Sequence, residues 1–496
     1  MSALWPIIRK GLANPHRTAI IDDRDSYSYL KLIGGGLFVA ERLDQTTDNR
    51  HIGILLPTTG AFAIAMIGTW LARRSIVPLN FLLSRSELEY VIRDSGIDTI
   101  LTAEAMLEYL GGPEVLPPDI TLIRLDELDT SGIPPLRWPP SVERDDLAAL
   151  LYTSGTSGRP KGVMLSHGNL RSNAEAAIKH AGIRKADTFL GVLPQFHSFG
   201  LTALTLAPLY LGARVVYSAR FIPRKIHELI VEHRPDIFVG IPSMYGALLS
   251  VREAKAEDFS SIRMAISGGE PLPMAIYEAF HDRFNTRILE GYGLTETSPI
   301  THWSTPQANK LHSVGRALPG VHTVILDEHD RPLPPGEQGE ICIAGPNVMQ
   351  GYYHLPEETE RAFVTLEEPD GTRRRYYRTG DMGRTDEDGF LFITGRKKEM
   401  LIVGGENVFP REIEEVLNEH STVHASAVIG RPDGVRGEVP IAFVEVEEGE
   451  TFDETALRQW CRERLAHYKA PRQIKHVEQL PRSGTGKILR RHLVPE

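Results

Sequence analysis

Cysteine is nearly absent from this sequence: Cys342 and Cys461 are the only two in 496 residues, and neither has a C-x-x-C partner. That excludes a disulfide framework and a thiolate metal cluster, and it fits a reducing compartment. Long hydrophobic runs are missing as well. The longest, AFAIAMIGTWLA at 61–72, is too short to span a bilayer and reads as a buried helix. The opening MSALWPIIRKGLANPHRTAI has its apolar run broken by Pro6 and two basic residues, with no small-residue cleavage site behind a long apolar stretch. A cytoplasmic protein without an integral membrane segment is expected. Basic charge is in deficit, with 55 Lys and Arg against 65 Asp and Glu and a net charge of -10. A surface that grips nucleic acid is therefore disfavoured, and small-molecule partners are expected.

What the chain does contain is a globular composition, 41% hydrophobic and 24% charged, on a length that exceeds one ordinary core. Roughly two to four domains or subdomains follow from that length. Runs such as HIGILLP (51–57), ARVVYSA (213–219) and DIFVGIP (236–242) alternate with helical patterns like RKIHELIVEHR, where Ile226, Leu229 and Ile230 share a face. Strands separated by helices indicate parallel sheets with crossover helices. From about 311 to 394 the pattern turns to strands and tight turns, a β-rich, barrel-like subdomain. Beyond GRKKE a helix is marked by Pro410 in its first turn, by Glu412, Glu414 and Glu415 near its positive end, and by Ile413, Val416 and Leu417 on one face. Two strands and a helix carrying Leu457, Trp460, Cys461 and Leu465 complete a separate α+β domain of roughly a hundred residues. Cys461 on that apolar stripe is structural.

The stretch TSGTSGRPKG (153–162) holds three glycines, four hydroxyls and Lys161. Inward-turned backbone N–H groups, hydroxyls and an ammonium together suit phosphate. It is not a Walker loop, because Pro160 stands where the second glycine belongs; RSGTGKILR fails too, with Ile488 after Gly486-Lys487. Taken alone such a run is usually a flexible turn. Other stretches accompany it. EGYGLTET (290–297) offers Tyr292 to stack on a base, Thr295 to bond phosphate and Glu296 to hold Mg²⁺. YRTGD (377–381) places Asp381 at a Gly turn, where a carboxylate accepts ribose hydroxyls, and GRKKE brings Arg396. Each is ordinary alone, a turn acid or a surface cation. In company they are not.

In this order TSGTSGRPKG, QFHSFG, GYGLTET, YRTGD, GRKKEMLIVGGENVFPREIE and PRSGTGKILR resemble the adenylate-forming superfamily of acyl-CoA synthetases, peptide-synthetase adenylation domains and beetle luciferases. The match covers 153–490, and HIGILLPTTGAFAIAMIGTWLARRSIVPLN resembles the family's N-terminal α/β unit more weakly. Ser157 replaces the second threonine of many members and keeps the hydroxyl. The resemblance implies a large N-terminal α/β domain (1–395), a hinge (396–398) and a mobile C-terminal α+β domain (399–496). It implies ATP, Mg²⁺ and coenzyme A as cofactors and co-substrate, and a carboxylic acid activated as acyl-AMP before transfer to a thiol. Thr153, Ser154, Gly155, Thr156, Ser157, Gly158 and Lys161 would cradle the β- and γ-phosphates. Thr295 and Lys487 would offset charge at the α-phosphate, with Glu296 on the metal. Gly268, Gly269, Glu270, Pro271, Gly291, Tyr292 and Gly293 would enclose adenine, and Asp381 and Arg396 the ribose. Lys398 would be the hinge residue, Gly404 and Gly405 would line the thiol tunnel, and His197 would gate the acyl and thiol paths.

The stretches 193–216 and 240–250 carry no acidic residue, and His197 stands where peptide-synthetase domains place the aspartate that holds an ammonium. Amino-acid substrates are disfavoured. Phe196, Phe199, Met244, Tyr245 and Gly268 suit an alkyl or aryl tail, with Trp303 and His302 as a further wall. A medium- or long-chain fatty acyl-CoA ligase is the expectation. The alternatives are a ligase that loads an acyl carrier protein or stops at acyl-AMP, and a nucleotide-binding protein without ligase activity. The basic tail from Arg472 would receive either CoA's phosphate or an acidic carrier.

Overall fold

A computed structural model describes residues 2–153, 159–434, 436–482 and 488–494. Two large mixed sheets form the N-terminal part. In the first, nine strands run in the order Arg316–Ala317, Ile300–Trp303, Ile288–Gly293, Met264–Ser267, Ile237–Gly240, Thr188–Gly191, Arg214–Tyr217, Thr18–Ile21 and Ser26–Ser28. Its central strands are parallel and its edges antiparallel. Each central strand is four to six residues long and nearly continuously apolar, as expected when helices cover both faces.

The second sheet has seven strands, ordered Gly351–Tyr352, Lys161–Ser166, Leu147–Thr153, Ser75–Pro78, His51–Ile54, Thr99–Thr102 and Thr121–Arg124. The helix Gly60–Leu71, the longest apolar stretch of the sequence, is buried almost all round and packs against Tyr29–Thr46. Among the described residues no helix is long and apolar enough to cross a membrane. The β-rich part is a five-stranded antiparallel sheet built on the long strand Arg373–Thr385, which pairs with Gly339–Ala344, Phe363–Glu367 and Leu391–Arg396.

A fourth sheet, Glu406–Val408, Leu401–Val403, Gly437–Val446 and Val423–Asp433 with Gln473–His476 alongside, forms the separate C-terminal domain. The helices Pro410–Asn418 and Glu454–Arg464 cover it, burying Ile413, Leu417, Leu457 and Cys461. Burial pushes the thiols of Cys342 and Cys461 up to about 12, which leaves both inert. Glu414, on the first of these helices, is buried, accepts the Val428 N–H at 2.7 Å and receives the Arg490 guanidinium.

Candidate active site

Thr153 ends one strand and Lys161 begins the next, and the two are antiparallel partners, so the loop between them leaves and rejoins the sheet at one point. Ser154, Gly155, Thr156, Ser157 and Gly158 lie outside the described residues, as does Lys487. Lys161 Nζ forms an ion pair with Glu358 and stands 5.3 Å above the ring of Tyr352.

Tyr352 belongs to a strap, residues 345–355, that crosses from the β-rich sheet to the hairpin of Leu147–Thr153 and Lys161–Ser166. The strap is tied to the hairpin by Gln350 N–H to Met164 O at 3.0 Å and Tyr353 N–H to Gly162 O at 2.7 Å. It is tied to the single turn Thr295–Thr297 by Met349 N–H to Glu296 O and Asn347 Nδ2 to Thr297 O, both at 2.8 Å. The Tyr352 hydroxyl donates to Glu296 Oε1 at 3.0 Å and lies 3.3 Å from the Tyr377 hydroxyl. Burial pushes the Glu296 carboxyl above its ordinary value, against the pull of the Tyr352 and Tyr377 hydroxyls. Thr295 is buried with its hydroxyl 3.2 Å from that of Ser198, which joins this turn to the HSFG segment.

Among the described residues no three His, Cys, Asp or Glu side chains converge as a metal cage. A half-buried carboxylate flanked by hydroxyls fits Mg²⁺, which takes one or two protein carboxylates and draws its other oxygens from phosphate and water. Next to this cluster the Tyr292 hydroxyl donates to Asp381 Oδ2 at 2.6 Å, and Arg396 Nε reaches Asp381 Oδ1 at 3.2 Å. Asp381 and Arg396 are cross-strand partners, which fixes that pair. Gly291 and Gly293 close the strand Ile288–Gly293, and a Cβ at Gly293 would fall 1.9 Å from Pro299 O, so only glycine fits.

The apolar side is formed where strands of the nine-stranded sheet end. Gly268, Gly269, Glu270 and Pro271 follow Met264–Ser267, and a Cβ at Gly268 would meet the Phe199 ring at 3.0 Å. Phe196 is buried edge-on to Phe81, with ring centres 5.0 Å apart, and Met244 is half-buried. His197 is exposed and caps the short helix Ser198–Leu201, its Nδ1 accepting the Phe199 N–H at 3.3 Å. Tyr245 departs from the expectation. It is fully buried between Phe238 and Phe280, and its hydroxyl donates to Phe238 O and Ile266 O, so it is a core residue and not a wall of the pocket.

His302 and Trp303 are buried on the strand beside Ile288–Gly293. Trp303 turns its pyrrole edge to Gly291, where a Cβ would lie 3.8 Å from Cδ1, and its Nε1 has no hydrogen-bond partner among the described residues. The Ser267 hydroxyl is likewise buried and unpartnered among them. Gly404 and Gly405 are not brought to this cluster. They form an exposed turn with φ of +63° and +91°, and a Cβ at either meets no atom within 4 Å. Lys398 lies exposed in the turn Lys397–Glu399, its pKa lowered by partial desolvation of the ammonium and by Arg396.

Four residues that the sequence did not single out complete the site: Tyr352, Tyr377, Ser198 and Glu358. Tyr377 and Ser198 sit inside quoted motifs, and Tyr352 and Glu358 in QGYYHLPEET, a hydroxyl- and acid-bearing stretch whose partners are remote in sequence.

The phosphate-loop hairpin, the GYGLTET turn and a separate C-terminal domain together define the class. AMP-binding enzymes match this chain over residues 9–353, and the C-terminal domain of AMP-binding enzymes matches 412–487. The chain belongs to that family and is an AMP-forming acid–thiol ligase. Among its relatives is a long-chain-fatty-acid–CoA ligase of Bacillus subtilis (strain 168), 34% identical, the match covering 90% of this chain and 85% of the relative. A feruloyl-CoA synthase of an Amycolatopsis species is 32% identical over 98% of this chain and 97% of its own. The ATP-bound structure of MatB from Rhodopseudomonas palustris superposes with a TM-score of 0.88 at 30% identity, covering 99% of this chain and 98% of that one.

Proposed function

We propose that this protein activates a medium- or long-chain fatty acid with ATP and passes the acyl group to the thiol of coenzyme A. In the first half-reaction a carboxylate oxygen bonds to the α-phosphorus, and the bond to the β-bridging oxygen breaks as pyrophosphate leaves. The acid is already ionised at neutral pH, so no general base is required. In the second, the thiol sulfur bonds to the acyl carbon, AMP leaves, and the thiol proton goes to solvent.

The observation that carries this reading is the convergence of Lys161, Tyr352, Glu296, Thr295 and Ser198 in one connected network beside the Phe199–Gly268 face. Thr153 to Lys161 hold the β- and γ-phosphates, Thr295 and Lys487 meet the charge at the α-phosphate, and Asp381 and Arg396 take the ribose. Glu296 holds Mg²⁺, which neutralises phosphate charge when bound. Tyr292, Gly291 and the 268–271 segment enclose adenine. His197, exposed at the end of its helix, gates the two paths. Residues 396–398 act as the hinge about Lys398, and the C-terminal domain turns so that Gly404 and Gly405 face the thiol in the second step.

A specific observation favours a second acid class. A purely alkyl tail leaves Trp303 Nε1 and the Ser267 hydroxyl without partners, whereas an aryl or acyl tail bearing an oxygen supplies an acceptor. The deciding experiment incubates the protein with Mg-ATP and a ladder of alkyl, hydroxyaryl and amino acids, with no thiol, CoA or a carrier protein, and follows AMP and thioester by mass spectrometry. AMP and acyl-CoA over one band of alkyl lengths support the fatty-acid reading, preference for oxygenated aryl acids moves the substrate class, and transfer only to carrier protein changes the acceptor. ADP in place of AMP overturns the mechanism.

A further inference from the structure

The Lys161 ammonium is held by Glu358, and both side chains are only partly exposed, at 19% and 33%. Glu358 sits on the helix Pro356–Arg361, which is pinned to the strap by the Tyr352 N–H to Thr359 Oγ1 bond at 2.9 Å and by Thr359 Oγ1 to Leu355 O at 2.8 Å. The carboxylate therefore belongs to the same rigid segment that places Tyr352 under Lys161 and against Glu296. Its charge is also felt by the hydroxyls of Tyr90 and Tyr352, and the Arg159 guanidinium covers the Tyr90 ring at 5.7 Å. A carboxylate and a phosphate oxygen compete for the same ammonium donors.

We propose that Glu358 is an internal counter-anion for Lys161: the β- and γ-phosphates of ATP displace it on binding, and it reclaims the lysine as pyrophosphate departs. This rests on the placement of those phosphates proposed above. Holding Lys161 in a pair lowers affinity for the pyrophosphate end of the nucleotide and leaves the adenosine monophosphate end untouched. The consequence is selective: weaker ATP and pyrophosphate binding, faster pyrophosphate release, and AMP affinity independent of Glu358.

The test is calorimetric titration of the full chain with Mg-ATP, Mg-pyrophosphate and AMP, in the absence of acid. Glu358→Gln, nearly isosteric and uncharged, should tighten ATP and pyrophosphate by about two- to fivefold, the range of a partly exposed ion pair, with AMP unchanged. Glu357→Gln removes the same charge from the same helix at an exposed position paired with Arg361, and should change none of the three. Unchanged or weaker ATP binding in Glu358→Gln, an equal gain in Glu357→Gln, or loss of AMP binding along with ATP would each overturn the proposal. AMP formation on addition of an acid separates the two inferences. Acyl-adenylate made by an enzyme whose ATP affinity ignores Glu358 keeps the ligase and loses the counter-anion; a shifted affinity without AMP production does the reverse.

Discussion

One tyrosine joins two charged groups of the proposed phosphate site: Tyr352 carries Lys161 Nζ 5.3 Å above its ring and gives its hydroxyl to Glu296 at 3.0 Å. Cation and acid thus meet opposite ends of a single side chain, on a strap that is bonded to the Glu296 backbone and to Gly162 and Met164 on the strand that Lys161 begins.

Tyr352→Phe keeps the ring beneath Lys161 and removes the bond to Glu296. A hydrogen bond to a charged acceptor contributes about 1.5–3 kcal/mol, so adenylation should slow roughly tenfold or more. The Mg²⁺ concentration for half-maximal ATP binding should rise as well. Wild-type rates and Mg²⁺ dependence in this variant would show that Glu296 is held by other contacts.

Gly268→Ala adds a methyl group 3.0 Å from the Phe199 ring. The ring must give way by a few tenths of an ångström, so kcat/KM should fall most for the longest or bulkiest acids, while any change in KM for ATP is the same whichever acid is used. A uniform loss over the acid ladder would place Gly268 outside the tail's path.

Glu290 carries a pH signature. Burial pushes its carboxyl up to about 7, partly opposed by Arg411 and reinforced by Glu415 on the helix Pro410–Asn418. Between the ordinary carboxylate value and 7 the folded chain keeps a proton that the unfolded chain has released, so this group's contribution to stability is lost as pH rises through that window. Glu290→Gln removes the titration. Its Tm relative to wild type should climb from pH 5 to pH 8 and then level off; a difference independent of pH would refute the assignment.

Buried histidines act in the opposite sense. Burial lowers His302 to about 3 and His167 to about 4, so both stay neutral when folded and charge when unfolded at acid pH. Stability present above the ordinary histidine value is lost as pH falls toward those values. The Tm of wild type should drop between pH 6.5 and 5, and His302→Gln should drop less steeply.

Lys487→Ala separates the half-reactions under the proposed roles. Acyl-AMP formation should fall by orders of magnitude, while thioester formation from supplied acyl-AMP and CoA persists. Equal loss of both steps would remove Lys487 from the α-phosphate.

The sequence made the apolar elements legible because their periods are local. HIGILLP, ARVVYSA and DIFVGIP contain the strands His51–Ile54, Arg214–Tyr217 and Ile237–Gly240, and RKIHELIVEHR contains most of the helix Pro223–His233. Tyr245 was misplaced because an aromatic next to Met244 on one helix gives no sign of which face meets the core. The burial of Glu414 left no mark in the sequence, because its partner Arg490 is 76 residues away.

By itself the sequence determined the chemistry at hand, since glycine, hydroxyl, lysine and carboxylate at short spacing are properties of contiguous residues. It also determined the alternation of strands and helices that builds two parallel-cored sheets. Only the tertiary structure decided which of those groups meet. Tyr352 reaches Glu296 across 56 residues, and Tyr292 reaches Asp381 across 89. Those pairings depend on strand order and on one strap crossing between sheets, and neither leaves a local periodic mark in the chain.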